Sequence, residues 1–143
     1  MTVRAILSRK GRDVSTIAPT ASLSEAVKLL AQRRIGAVVV TGPDNRVAGI
    51  LSERDIVRVL DPRGPEALQD NVAAVMTRKV STCQESETVA VLMEKMTAGK
   101  FRHLPVVEQG RLVGIVSIGD VVKLRVEEIE GETEALREYI ATA

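Results

Sequence analysis

Two kinds of apolar pattern alternate along this chain: a spacing of about 3.6 residues, and short continuous runs. Leu23, Ala26, Val27 and Leu30 recur at helical spacing, so residues 22–34 are predicted to form an amphipathic helix. Ser22 with Glu25 reads as its capping box, and the helix is expected to stop near Gly36. Ala37 to Val40 is a buried-strand run, Gly42-Pro43-Asp44-Asn45 a turn, and Val47 to Leu51 a returning strand. Asp55 to Leu60 reads as a helix that Asp61-Pro62 ends. A β-rich run from Val14 to Ile17, closed by Pro19, comes before all of these. The order is strand, helix, strand, strand, helix.

That order then repeats. Val80-Ser81-Thr82 matches Val14-Ser15-Thr16 at an offset of 66 residues, and Arg111, Gly114, Ile115, Ser117 and Asp120 match Arg46, Gly49, Ile50, Ser52 and Asp55 at 65. The difference falls in the hairpin, where Gln109-Gly110 replaces the longer turn and a deletion is tolerated. A second helix over Thr88 to Ala98 presents Val89, Leu92, Met93 and Met96 to a core, with the methionines as fillers and Gly99 at the C-terminal cap. Two copies of a unit this long argue for two small units buried against each other and not for a solenoid.

The organisation predicted is an N-terminal helical segment (1–13), a first unit (14–61), a linker (62–79), a second unit (80–125) and a C-terminal amphipathic helix (126–143). In the first segment Val3, Ile6 and Leu7 face the body, Gly11 ends the helix, and Arg4, Arg9, Lys10 and Arg12 are solvated. Running into the last from Val122, the residues Val126, Ile129, Thr133, Leu136 and Ile140 follow a heptad seam weakened by Gly131, with an acidic outer face. A stripe that outlasts the repeat has little of its own domain to cover, so a homodimer is expected.

The chemistry of the chain concentrates in GILSERD (49–55) and GIVSIGD (114–120). Each offers two aliphatics for a strand end, then Ser52-x-x-Asp55 or Ser117-x-x-Asp120 for a capped helix start. A capping box alone explains each copy. The same geometry also suits a ligand, because free amides and a hydroxyl at a helix start attract phosphate while an aspartate can accept both hydroxyls of a ribose.

Composition narrows the field. With 143 residues, 45% of them hydrophobic, the chain can bury a core without any disordered region. Lys plus Arg number 20 against 19 acidic residues, so no global field draws in nucleic acid or a membrane surface. The apolar runs are far shorter than the roughly 20 residues of a membrane helix, and with no signal-type segment a cytoplasmic location is expected. Cys83 is the one cysteine and His103 the one histidine, which excludes an internal disulfide and argues against a zinc site; Cys83 reads as a plain strand residue.

The duplicated unit, the G-φ-φ-S-x-x-D ending in both halves (φ aliphatic) and the FRHLPVV run at 101–107 resemble the tandem cystathionine-β-synthase (CBS) domain pair over roughly residues 13–125. The resemblance implies an α/β (α+β) fold of two β-α-β-β-α units packed through their sheets. It also implies two clefts, each able to hold an adenine nucleotide such as AMP, ATP or a dinucleotide like NADH. Carried over, one cleft combines Ile50, Ser52, Arg54 and Asp55 with Thr82, Arg102 and His103; the other combines Ile115, Ser117 and Asp120 with Thr16, Ile35, Gly36 and Ala37. On that grouping the Asp55 cleft is the more basic and is expected to prefer the more highly charged ligand. With no Trp, one Phe and one Tyr, adenine would rest on aliphatics.

The function expected is a non-catalytic sensor of an adenine nucleotide, without a catalytic cofactor or metal. The alternative is an interaction module whose clefts are vestigial and which engages a protein target. An enzyme is disfavoured because no nucleophile, base and orienter can be assembled from these residues.

Overall fold

The computed structural model describes residues 1–142. In chain order it contains α1 (Val3–Lys10), β1 (Thr16–Ile17), α2 (Leu23–Arg33), β2 (Ala37–Thr41), β3 (Val47–Ser52) and α3 (Glu53–Arg63). These are followed by α4 (Val72–Val75), α5 (Val89–Gly99), β4 (His103–Glu108), β5 (Arg111–Ser117) and α6 (Ile118–Thr142). No helix among the described residues is long and apolar enough to cross a membrane.

One three-stranded sheet runs β1-β2-β3, with β1 parallel and β3 antiparallel to β2; β4 and β5 pair antiparallel in a second sheet. Val38 and Val40 of β2 face a core with Leu23, Ala26, Leu30, Leu51 and Ile56, while Ala37 and Val39 on the opposite face are equally shut off from solvent. A strand covered on both faces reads as an unbroken apolar run, as this one does. Contact between the units is direct: Asn45 Nδ2 donates to the Leu112 carbonyl at 2.9 Å.

Several local details differ from the sequence reading. α3 continues through Pro62 to Arg63, because a proline in the last turn forfeits a single i→i−4 bond, and the helix ends at Gly64 (φ 73°). The left-handed cap of α5 is Lys100, matching Arg34 after α2, and not Gly99. Gly99 is required for space instead: a Cβ there would lie 2.0 Å from the Phe101 ring. Val80-Ser81-Thr82 forms no strand, and the expected edge shrinks to one parallel bridge between Cys83 and Val106. Met96 is buried as expected, but Met93 is 36% exposed.

The segment expected as a linker is structured. Gly64–Gln69 forms a 3₁₀ stretch and α4 follows, with Ala67 and Val72 fully buried and Met76 nearly so. Val72 and Met76 join the first core, while Val3, Ile6 and Leu7 of α1 join the second, with Val89, Leu92, Leu104 and Val116. Each helix that leads into a unit therefore covers the other unit. Backbone bonds fix both: Val3 N donates to Glu87 O at 2.9 Å, and Val72 N to Ala21 O at 2.8 Å.

Burial in the second core pushes the Cys83 thiol up to about 12, with the Glu87 carboxylate adding to the effect. The thiolate that reacts is then almost absent at neutral pH. Native protein is expected to leave an aromatic disulfide reagent unconsumed at pH 8 and to consume one equivalent per chain in urea; equal rates in both would contradict this burial.

Candidate functional site

Both Ser/Asp pairs close capping boxes. In the first, Ser52 N donates to Asp55 Oδ2 at 2.9 Å and Asp55 N to Ser52 Oγ at 3.2 Å; in the second, Ser117 N donates to Asp120 Oδ2 at 2.9 Å and Asp120 N to Ser117 Oγ at 3.2 Å. The equivalence extends to the preceding strands, since Glu53 N donates to the Gly36 carbonyl and Ile118 N to the Arg102 carbonyl. Each box occupies only Oδ2. Oδ1 of Asp55 accepts one long bond from Thr77 Oγ1 (3.4 Å), and Oδ1 of Asp120 has no partner among the described residues. Capping and ligand binding can thus use different oxygens of one carboxylate.

Neighbouring residues distinguish the two sites. Thr77 reaches Asp55 because it pairs with Ile50 on the open edge of β3, Ile50 N to Thr77 O at 3.0 Å and Thr77 N to Ile50 O at 2.9 Å. At Asp120 the neighbour is Lys10, whose Nζ donates to Oδ2 at 2.7 Å and to the Ile115 carbonyl at 3.0 Å. Burial would raise the Asp120 pKa, but the bonds from Lys10 and Ser117 outweigh it and hold the carboxyl below its ordinary value. The sequence pattern predicts Lys10 as one of the solvated cations, and the structure corrects this. A lone lysine 110 residues from its partner carries no pattern that would reveal it.

Arg102 and His103 lie at the start of β4, where His103 also reaches the first unit. His103 pairs with Ser117, and its ring feels Asp120 and Lys10 together with Arg102 and Glu53. Ala37 pairs with Ser52, and Gly36 lies where an added Cβ would come 3.9 Å from both Glu53 Oε2 and His103 Cε1. The His103 ring thus lies between Asp120 and Lys10 on one side and Gly36 and Glu53 on the other, while exposed Arg54 sits beside Asp55. A hairpin turning at Gln109-Gly110 sets the start of β4 opposite the end of β5.

The remaining residues lie further apart. Ile50 and Ile115 are half-buried next to their motifs, and Ile35 supports Gly36 through a bond from its N–H to the Leu30 carbonyl. Thr16 pairs with Val39 and lines a cavity of about 230 Å³ with Arg12, Asp13, Asn45 and Leu112. Thr82 is exposed, and its carbonyl accepts from Lys95.

A family model described as the CBS domain matches residues 3–62 and 72–127. The chain belongs to the CBS-domain family. Each of the two matches begins at a leading helix, α1 or α4. Among solved CBS structures, the CBS-domain containing protein ATU1752 from Agrobacterium tumefaciens is 52% identical, with a TM-score of 0.83 over 87% of this chain and 92% of that one. The CBS domain protein PAE2072 from Pyrobaculum aerophilum, complexed with AMP, is 31% identical, with a TM-score of 0.75 over 84% and 89%. The CBS domain pair of MJ0100, in complex with 5′-methylthioadenosine and S-adenosyl-L-methionine, is 27% identical, with a TM-score of 0.79 over 90% and 98%. The CBS protein CBSX3, mitochondrial, from Arabidopsis thaliana is 37% identical over 120 residues, and the match covers 81% of this chain but only 58% of that relative.

The site gives a pH dependence with a definite sign. Burial, reinforced by Lys10, lowers the His103 pKa below 6.5, so protonation favours the unfolded chain. Its contribution is complete above about 6.5 and is lost as the pH falls. Asp120, also lowered, contributes above its ordinary value of 3.8 and loses that contribution as the pH falls through its folded value. The urea midpoint is expected to fall in two stages on acidification from pH 8 to pH 3, and His103→Gln removes the upper stage. A flat upper range in the parent protein would contradict the burial of His103.

Proposed function

We propose that this chain is a non-catalytic regulatory module that binds an adenosyl ligand at the Ser52/Asp55 and Ser117/Asp120 sites. The observation that carries this reading is the duplicated cap in which one carboxylate oxygen of each aspartate is left over for a ligand. In this reading Asp55 and Asp120 accept ribose hydroxyls, the serines and helix-start amides face phosphate, and Ile50 and Ile115 flank the base. That related CBS pairs are complexed with AMP, 5′-methylthioadenosine and S-adenosyl-L-methionine supports the ligand class. Lys10 Nζ, 2.7 Å from Asp120 Oδ2, adds a cation beside the Asp120 site that can meet a ligand's phosphate.

An enzyme is disfavoured on chemical grounds: the one thiol is buried and protonated, and the one imidazole has no hydroxyl or thiol nucleophile bonded to it. Isothermal titration of the whole chain with AMP, ATP, NADH and S-adenosyl-L-methionine tests the proposal. Saturable heat from at least one is expected, and no heat from any, with the protein folded, overturns it.

A further inference from the structure

The outer edges of the two units are closed by different chemistry. In the first, the Ile50 carbonyl on β3 accepts from the Thr77 backbone N–H at 2.9 Å. In the second, the matching Ile115 carbonyl on β5 accepts from the Lys10 ammonium at 3.0 Å, and the same ammonium donates to Asp120 Oδ2 at 2.7 Å. An ammonium carries three donors, and these bonds use two of them. With 31% of its side chain still exposed, Lys10 is held in place with a donor to spare. A cavity of about 120 Å³ between α1 and α6 borders the pair and gives room for a phosphate, and the exposed Lys123 lines it as well.

Lys10 is also the last residue of α1, and Gly11 (φ 95°) ends the helix immediately after it. Eight residues are too few to hold a helix unaided in water, so α1 is helical only while Val3, Ile6 and Leu7 are docked on the second core. A contact that fixes Lys10 therefore fixes that docking.

We propose that Lys10 selects for a phosphate on the ligand whose ribose Asp120 accepts, and that the phosphate thereby locks α1 onto the second unit. This rests on the adenosyl-ligand reading above and adds a regulated element to it. Ribose hydroxyls take Asp120 Oδ1, which has no partner among the described residues, while the spare donor of Lys10 makes a charge-assisted bond to a phosphate oxygen. The coupling is reciprocal: the factor by which Lys10 tightens AMP is the factor by which AMP disfavours undocking of α1. One hydrogen bond to a charged group sets that factor at about tenfold or more. Adenosine offers the same base and ribose without the phosphate and does not lock the helix. The state of α1 then reports whether a phosphorylated ligand is present, because an undocked α1 exposes Val3, Ile6 and Leu7.

The test is backbone hydrogen exchange of the whole chain, read over residues 3–10 with saturating AMP or adenosine, alongside calorimetry of both ligands. AMP is expected to bind about tenfold more tightly than adenosine and to slow exchange in α1 about tenfold further. Lys10→Met is expected to erase both differences by the same factor. The comparison of AMP with adenosine in the parent needs no variant, so it decides the matter even where Lys10→Met loosens α1 by itself. Equal exchange with the two ligands, faster exchange with AMP, or AMP-specific protection that survives Lys10→Met overturns the inference and leaves adenosyl binding standing. If neither AMP nor adenosine binds, the inference falls, and titration with S-adenosyl-L-methionine shows whether the underlying reading falls with it.

Discussion

Asp120→Ala is expected to abolish adenosyl-ligand binding at the second cleft, weakening it about 100-fold or more, while leaving the Asp55 site intact. An ionised carboxylate that accepts two ribose hydroxyls makes two hydrogen bonds to a charged group, each contributing about 1.5–3 kcal/mol. Ser117 is committed to the helix start, and Lys10 is a donor with no acceptor to offer. Alanine also removes the box that starts α6 and leaves Lys10 with only the Ile115 carbonyl. Asp120→Asn separates the two losses, because its one amide oxygen can still receive the Ser117 N–H while the amide NH2, a donor, takes the place of the oxygen that would accept from the ribose. Binding measured by calorimetry should fall steeply in both variants, with helix content by circular dichroism lower only in alanine. The matching change at Asp55 should remove only the other site. If either variant binds as the parent does, the carboxylate does not hold the ligand.

Gly49→Val is expected to be the most damaging substitution for stability, by about 3 kcal/mol or more. A Cβ at residue 49 would lie 2.7 Å from Met76 Sδ and 2.8 Å from the Thr77 carbonyl oxygen. That carbonyl cannot retreat without breaking its bond from Ile50 N, and the reciprocal bond from Thr77 N goes with it. Losing this edge pairing would also uncover Met76 and Val72 and withdraw Thr77 from Asp55. The equivalent Gly114 is crowded by the Leu7 side chain, 2.7 Å from the added carbon, and not by backbone, so Gly114→Ala should cost less than Gly49→Ala. Urea denaturation of the set checks the order, and a Gly49→Val protein as stable as the parent would contradict the packing.

Local signals in the sequence were sufficient for the elements themselves. The periods of α2 and α5, the solid apolar run of β2 and the two Ser-x-x-Asp boxes each depend on neighbouring residues alone, and each lies where the pattern put it. What escaped depends on distant partners. An amphipathic helix reveals that it has an apolar face but not what that face meets, so the pairing of α1 with the second core and α4 with the first was hidden, as was the role of residues 64–76. The failed strand at Val80-Ser81-Thr82 has the same origin, because β-propensity yields to whichever edge is within reach. Offsets likewise pair Arg102 with Gly36, but only the fold shows that the Arg102 carbonyl receives the Ile118 N–H at the start of α6.

The crossing of the leading helices sets an order of events during synthesis. α1 precedes its cover in the chain: its docking surface includes β5 and α6, and Lys10 bonds to a carbonyl 105 residues further on. At about 5–20 residues per second, Val3, Ile6 and Leu7 wait roughly 5–20 s for their cover. The helix is made well before its cover, and a nascent chain stalled before Gly114 displays Val3, Ile6 and Leu7 as unsatisfied apolar surface.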